Sequence, residues 1–395
     1  MTTKPYKVEL DPNNRQRTML MKHAGCARFA YNWGLAEWKR LYEAGEKTDP
    51  IKLHKALNAL KKAEFPWMYE VSKCAAQEAL RDLGTAFKNF FQGRSKYPRF
   101  KSKHRSRKSF RLTSPSPMKA TRKTIKLPVI GTIRLKEKDR LPVDQEIKQV
   151  TVSERAGKWF VTAKVEVEME IQPVETTGER MGIDLGVKTL ATCSDGSTYE
   201  NGKHLNKSLK KLQGLSKKLA RQKKGSNKRA KTKACIAKVH ARVSDQRSDA
   251  VHKMTTEVVR TKRPEVIVLE DLNVRGMVKN RKLAQAVHDA AMSEARRQFE
   301  YKTRWYGVGM IIADRFFPST KMCSCCGALR KMELDDRVYE CDACGTAMDR
   351  DLNAALNLAK VPSASSAGYA RGEDVRPTRR QTSVKREPDR RLVAS

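Results

Sequence analysis

The chain has 395 residues, 39% of them apolar, and its 82 Lys and Arg outnumber 44 Asp and Glu to leave a formal net charge of +38. The length fits two or three domains, and the apolar share excludes wholesale disorder. A positive excess of this size sets aside a merely solvated basic surface and points to a polyanionic partner, because neutralising phosphates releases counterions without any reading of sequence.

In chain order, "MTTKPYKVEL" lacks the apolar core of a secretory signal, and no apolar run approaches the ~18 residues that span a bilayer, so an intracellular, cytoplasmic chain is predicted. Residues 5–10 alternate polar and apolar as one strand does. Helical periodicity follows over about 14–44, 50–62 and 70–92. Phe87, Phe90 and Phe91 recur at i, i+3, i+4 spacing and read as core before they read as base-stacking groups. A basic, Pro-containing connector (93–108) leads to short β-like runs, "SFRLT", "TIKLPVIGTIRL", "IKQVTVSE" and "GKWFVTAKVEVEM", which predict a small antiparallel barrel that could include the first strand. Residues 170–180 read as a linker.

Beyond Arg180 the grammar becomes α/β. "MGIDLGVKTLATCSDGSTYE" predicts two strands, a Ser-Asp-Gly-Ser hairpin and a third strand. Residues 203–260 form a basic helical region with no acidic residue between Glu200 and Asp245. Its two apolar stripes, starting at Leu205 and Ile236, predict an antiparallel pair joined at "KKGSNKR". "PEVIVLEDL" (264–272) reads as a buried central strand, 282–307 as one long helix, and "GMIIADRF" as another strand. A last helix starts at about Asp349, and from 363 the chain is a basic tail without periodicity, predicted to be disordered.

Two constellations carry chemistry. Asp184 lies in an apolar strand, Glu270 ends another, and Asp351 sits in the first turn of a helix of small apolar residues. Buried carboxylates are costly unless paired or bound to a cation, and Mg²⁺, as one ion or a pair, would remove their mutual repulsion. Asp349 reads as the helix N-cap. Cys323-x-x-Cys326 and Cys341-x-x-Cys344 have the spacing of a structural Cys₄ zinc ribbon, with Gly327 and Gly345 free to turn around the metal; Cys325 has no place in a tetrahedral site. Cys26, Cys74, Cys193 and Cys235 are single and read as packing residues.

"GIDLGVK", "VLEDLNV", "YKTRWYG", the paired CxxC motifs and "DRDLNAALN", in this order, resemble the TnpB (OrfB) family of transposon-encoded proteins related to type V CRISPR effectors; "ARFAYN", "AFKNFF" and "YPRFK" extend the likeness to about residues 5–360. The resemblance implies an α+β multidomain protein. A wedge barrel of oligonucleotide-fold type (1–12 and 101–174) would hold a helical recognition insert (13–100). An RNase H-like, or RuvC, nuclease (175–318 and 348–362) would carry the zinc ribbon (319–347), with the tail at 363–395. It implies an RNA-guided DNA endonuclease of an insertion sequence, with guide RNA and double-stranded target DNA as partners. Cutting would fall next to a short adjacent motif, with two Mg²⁺ ions held by Asp184, Glu270 and Asp351 and zinc held by the four cysteines. Lys73 and Gln77 in "EVSKCAAQEAL" correspond to the helix that reads the adjacent motif. Lys217, Lys218, Arg221, Lys223, Lys224, Lys228 and Arg229 are candidate contacts to nucleic acid, the helical pair lining the guide–target duplex by charge and shape. The rival functions are a strand-transfer transposase and a non-catalytic, RNA-guided DNA-binding repressor; the intact acidic triad speaks against the second.

Overall fold

A computed structural model of the chain describes residues 2–114, 118–143, 145–167, 178–333 and 336–362. The predicted tail, and most of the predicted linker at 170–180, lie outside them. The described residues fall into two compact units, one comprising those up to 167 together with 204–249, the other 178–203 and 250–362. No described helix is long and apolar enough to cross a membrane.

The first unit opens with strand β1 (Thr2–Asp11), helices α1 (Asn14–Glu43), α2 (Pro50–Leu60) and α3 (Lys73–Phe91), then β2 (Ser109–Thr113), β3 (Thr124–Leu127), β4 (Gly131–Leu135), β5 (Gln149–Arg155) and β6 (Lys158–Val167). The sheet order is β2-β5-β6-β1-β4-β3, every pair antiparallel. β1 thus lies inside the sheet, and the three helices leave it and return. Each helix starts at a polar cap: Asn13 and Gln16 form a reciprocal capping box, Asp49 accepts the amides of Ile51 and Lys52, and Ser72 accepts that of Cys74. Trp159, Val161, Ala163 and Val165 point inward at period two and share one core with Leu35, Leu53, Leu80 and Phe87. Gly34 lets α1 approach α3, since a Cβ there would stand 2.4 Å from Leu80. Inside α3 the buried carboxylate of Glu78 is paired with Arg81 at 2.6 Å and Arg111 at 3.3 Å.

The predicted barrel is a curled sheet whose ladder does not close among the described residues. β2 and β3 are edge strands, and the chain between them does the joining: the Met118 N–H donates to Ile147 O at 2.8 Å, and Ala120 bridges to Ile125. The family resemblance implies that the basic pair, α4 (His204–Ala220) and α5 (Asn227–Thr256), belongs to the nuclease segment 175–318. Up to Asp249 it clusters with the first unit, where Arg155 on β5 bonds Asp245 at 2.7 Å and the carbonyl of Ala241 at 3.0 Å.

The second unit has β7 (Arg180–Asp184), β8 (Thr189–Cys193), β9 (Thr198–Glu200), β10 (Val266–Glu270) and β11 (Gly309–Ala313) in the order β11-β10-β7-β8-β9, with β11, β10 and β7 parallel and the rest antiparallel. Around it stand α6 (Val274–Met277), α7 (Arg281–Ala290), α8 (Met292–Tyr306), the small hairpin β12 (Val338–Glu340) and β13 (Ala347–Asp349), and α9 (Arg350–Ala359). The single helix expected over 282–307 is two. Ala291 takes a left-handed φ of +51°, a cost of about 1–2 kcal/mol, offset by burying Ala290 and Met292 on either side of the break. Lys302, from "YKTRWYG", is buried and holds α8 to the end of α5, donating to His252 O, Thr255 Oγ1 and Thr256 Oγ1 at 2.6–2.9 Å.

Candidate active site and metal centre

β7 and β10 run parallel in register as far as Ile183 opposite Leu269, so the next residues, Asp184 and Glu270, end adjacent strands. α9 packs on β7 because Gly182 has no side chain: a Cβ there would stand 1.9 Å from the carbonyl oxygen of Ala355. Ala354 and Ala355 are fully buried in that contact. The helix thereby brings its first turn, with Asp351, toward the strand ends. Burial, then the charges of Glu270 and Asp351, push the Asp184 carboxyl up to about 7, with Arg350 opposing them. Part of Asp184 still reaches solvent, but its carboxyl lies deep among protein atoms. Ser319 Oγ donates to Glu270 Oε1 at 2.5 Å, and Arg350 Nε lies 3.7 Å from Asp351 Oδ1. Asp349 is the N-cap of α9, accepting the amides of Asp351 and Leu352 at 2.9 and 3.1 Å. The three acidic groups, whose fields add at one strand end, are the hard oxygen donors that a divalent cation such as Mg²⁺ prefers, although their oxygens are not gathered as closely as the cysteine sulphurs.

The four cysteines are gathered more tightly. Among the described residues they form the one group of three or more metal-ligating side chains close enough to share an ion, their sulphurs all within 4.8 Å. Cys323 Sγ lies 3.7 Å from Cys344, and Cys326 Sγ 3.5 Å from Cys341. Gly327 and Gly345 take φ of +79° and +70° and donate to the carbonyls of Cys323 and Cys341, closing the two knuckles. The Thr346 hydroxyl, 3.1 Å away, leads the interactions that hold the Cys344 thiol at about 6. This donor set fits zinc. Cys325 is exposed and stands outside the cluster; Cys26, Cys74 and Cys193 are buried as packing residues are, whereas Cys235 is exposed.

The ribbon is joined to the carboxylates directly. β13 ends at Asp349, so its last residue caps the helix that carries Asp351. Buried Asn353 accepts the Ser324 amide at 2.9 Å and donates to Met322 O at 2.7 Å; buried Asn357 donates to the carbonyls of Ser319 and Met322. Sequence reasoning missed Ser319, Asn353 and Asn357. The asparagines had a signal, two amides at i, i+4 in the apolar run "LNAALNLA".

Lys73 is exposed at the start of α3, and Gln77 is partly buried one turn later on the same side. Lys217, Lys218, Arg221, Lys223, Lys224 and Lys228 are exposed around the turn of the α4–α5 pair. Arg229 is half-buried and turns inward, its guanidinium donating to the carbonyls of Leu219 and Gln222 and so closing the turn. Phe87 is core, stacked on Trp38 at 4.3 Å, whereas Phe91 is exposed.

Residues 160–281 match the OrfB_IS605 family ("Probable transposase"), 293–358 the "Cas12f1-like, TNB domain", and 1–47 the helix-turn-helix domain of OrfB_IS605 proteins. A "Putative RNA-guided DNA endonuclease" of Streptomyces pristinaespiralis is 38% identical over 98% of this chain and 96% of its own length. The chain belongs to the TnpB (OrfB) family. A second TnpB-type relative, the "Putative RNA-guided DNA endonuclease InsQ" of Escherichia coli K12, is 32% identical over 99% of this chain and 98% of its own. Among solved structures, Cas12f1 in its complex with guide RNA and target DNA shares the fold of this TnpB chain: TM-score 0.54, 16% identity, 87% of this chain and 83% of that one covered. The stretch matched as helix-turn-helix holds β1 and one 30-residue helix.

Proposed function

We propose that the protein is an RNA-guided DNA endonuclease that hydrolyses phosphodiesters beside a short adjacent motif, acting in the cytoplasm. The observation that carries the reading is the convergence of Asp184, Glu270 and Asp351 at one end of the second unit's sheet, in a chain of net charge +38. In this reading the sheet of the second unit is a RuvC-like nuclease and the curled sheet of the first a wedge, with 13–100 as its recognition insert, the ribbon at 319–347 and the last nuclease helix at 348–362. Two Mg²⁺ ions bound at the carboxylates would supply an activated water and stabilise the leaving oxygen. The chain's own residues set the stage: Ser319 orients Glu270, the Asp349 cap fixes the turn from which Asp351 projects, and Gly182 sets the distance of α9 from Asp184. Zinc at the four cysteines would be structural. The exposed lysines around the α4–α5 turn, with Arg221, contact the guide–target duplex, and Lys73 and Gln77 approach the adjacent motif.

The test uses protein purified with its RNA. Asp184→Ala, Glu270→Ala and Asp351→Ala should each cut about 10⁴-fold more slowly while binding guided target DNA as before, and the triple variant should be little worse than a single one. Cutting should need Mg²⁺ or Mn²⁺. RNA-independent end joining would establish a transposase instead, and normal cutting by all three variants would remove the nuclease reading.

A further inference from the structure

The loop after β11, Asp314–Ser319, carries a side chain that packing does not explain. Phe316 is 87% exposed, more than any other large apolar residue described. It is not a loose tip. Asp314 Oδ1 accepts the Phe316 amide at 2.8 Å, Asp314 O accepts that of Phe317 at 3.0 Å, and Phe317 O accepts that of Ser319 at 2.8 Å. Phe317 packs against the cluster of Val268, Ile311, Ala313 and Leu358, so its neighbour's ring is held outward from an anchored backbone.

The surroundings of that loop are those of the candidate active site. Ser319 bonds Glu270. Arg315, half exposed, is pinned to Asp271, which also binds Arg296 at 2.7 Å, and both arginines share with Glu270 the wall of a cleft of about 300 Å³. One six-residue loop therefore presents a bare aromatic face, a guanidinium, and the hydroxyl that orients a metal-binding candidate. An aromatic ring beside a cation is the pairing that single strands use, base on ring and phosphate on charge.

We propose that this loop seats the DNA strand being cut: Phe316 stacks on an unpaired base next to the scissile phosphate, and Arg315 takes a neighbouring phosphate. This assignment rests on the nuclease reading above. It makes Phe316 a positioning residue whose partner is single-stranded DNA.

The experiment pairs protein and substrate changes, using RNA-loaded protein and target DNAs in which successive nucleotides near the cut are made abasic, one at a time. At one or two positions the abasic site should lower kcat/KM of the native protein about 5- to 100-fold, the range of one base–ring stack. Phe316→Ala should lose as much on intact DNA, be indifferent to the abasic site at that same position, and retain normal RNA loading and target binding. Phe316→Trp should restore cutting. Normal cutting by Phe316→Ala, losses that simply multiply at every position, or a Trp variant as poor as Ala would overturn the assignment. So would loss of copurified RNA in Phe316→Ala, which would give the ring to the guide. A normal Phe316→Ala beside an inactive Asp184→Ala refutes the stacking alone and spares the nuclease reading. Should the protein not cut at all, quenching of a 2-aminopurine-containing single-stranded oligonucleotide by native protein but not by Phe316→Ala still decides the matter.

Discussion

The four thiols of the ribbon and the three carboxylates beside it both bring like groups together, but by different means. The sulphurs come from two short knuckles whose turns are shaped by Gly327 and Gly345, and the few contacts of one small ribbon, such as Tyr339 to the carbonyls of Lys321 and Ala328, set all four within 4.8 Å of one another. The carboxylates come from β7, β10 and the first turn of α9, and nothing local brings them together. Their meeting depends on a parallel register, on Gly182, and on the asparagines that tie α9 to the peptide at 319–324. A metal knuckle can be specified by short-range sequence, whereas the acidic site is a property of the packed unit. The ribbon stands ahead of "DRD" for that reason: β13 delivers a fixed cap to the helix that has to be placed.

The largest effect should come from breaking the local site. Native protein should hold one zinc per chain, and Cys341→Ser should release it and with it about 10 kcal/mol of metal-linked folding energy, read by elemental analysis and thermal melting. Because β13 runs into α9, cutting should fall too, although no carboxylate has changed. A zinc-free native protein would dissolve the contrast. Next comes the charge of the acidic site. In chelator, Asp184 titrates near 7 folded against about 3.9 unfolded, so the folded state holds that proton more tightly. Its contribution is complete below about pH 4 and is lost as pH rises to about 7, a fall in the order of 4 kcal/mol. Urea denaturation from pH 4 to 8 should show this slope in native protein and not in Asp184→Asn. Gly182→Ala tests the packing alone. It should cost about 1–3 kcal/mol by overpacking and slow cutting by displacing α9, with zinc retained. The smallest effect is that of Asp349→Ala, about 1 kcal/mol of stability through the lost cap, with much of the cutting intact. If Asp349→Ala abolished cutting and Asp351→Ala did not, the roles within "DRD" would be reversed.

What could be read from sequence follows the same division. The Cys spacing, the Asp349 cap and the alternation of β6 are local patterns, and each has a local physical cause. The apolar runs around Asp184 and Glu270 made those carboxylates conspicuous, because a charge inside such a run needs a reason. Other features were hidden because their meaning lies in a distant neighbour. Ser319 is an ordinary serine until Glu270 is beside it. Ala291 breaks a helix in which nothing in "HDAAMSEA" marks a stop, since burial on both sides of it decides the matter. Arg229 looks like its basic neighbours until the carbonyls of Leu219 and Gln222 claim its guanidinium. The curl of the first sheet depends on how the chain near Met118 meets β3 and β5, which strand periodicity does not encode.

The position of β1 inside its sheet has a consequence for how the protein is made. The strand leaves the ribosome well before its partners: Leu10 pairs with Leu135 and Trp159, which follow only after all three helices. At ordinary translation speeds of ~5–20 residues per second, β1 waits roughly 10–30 s for its partners. Helices α1–α3 have no such delay, since Leu35, Leu53, Leu57, Leu80 and Leu83 can gather as soon as α3 is out. The nascent chain therefore carries a folded helical knob beside a bare β-strand, a ready template for another chain. Pro5, Lys7 and Glu9, which alternate with Tyr6, Val8 and the inward Leu10, are residues that discourage such pairing, and they guard the strand until residue 167 has been synthesised.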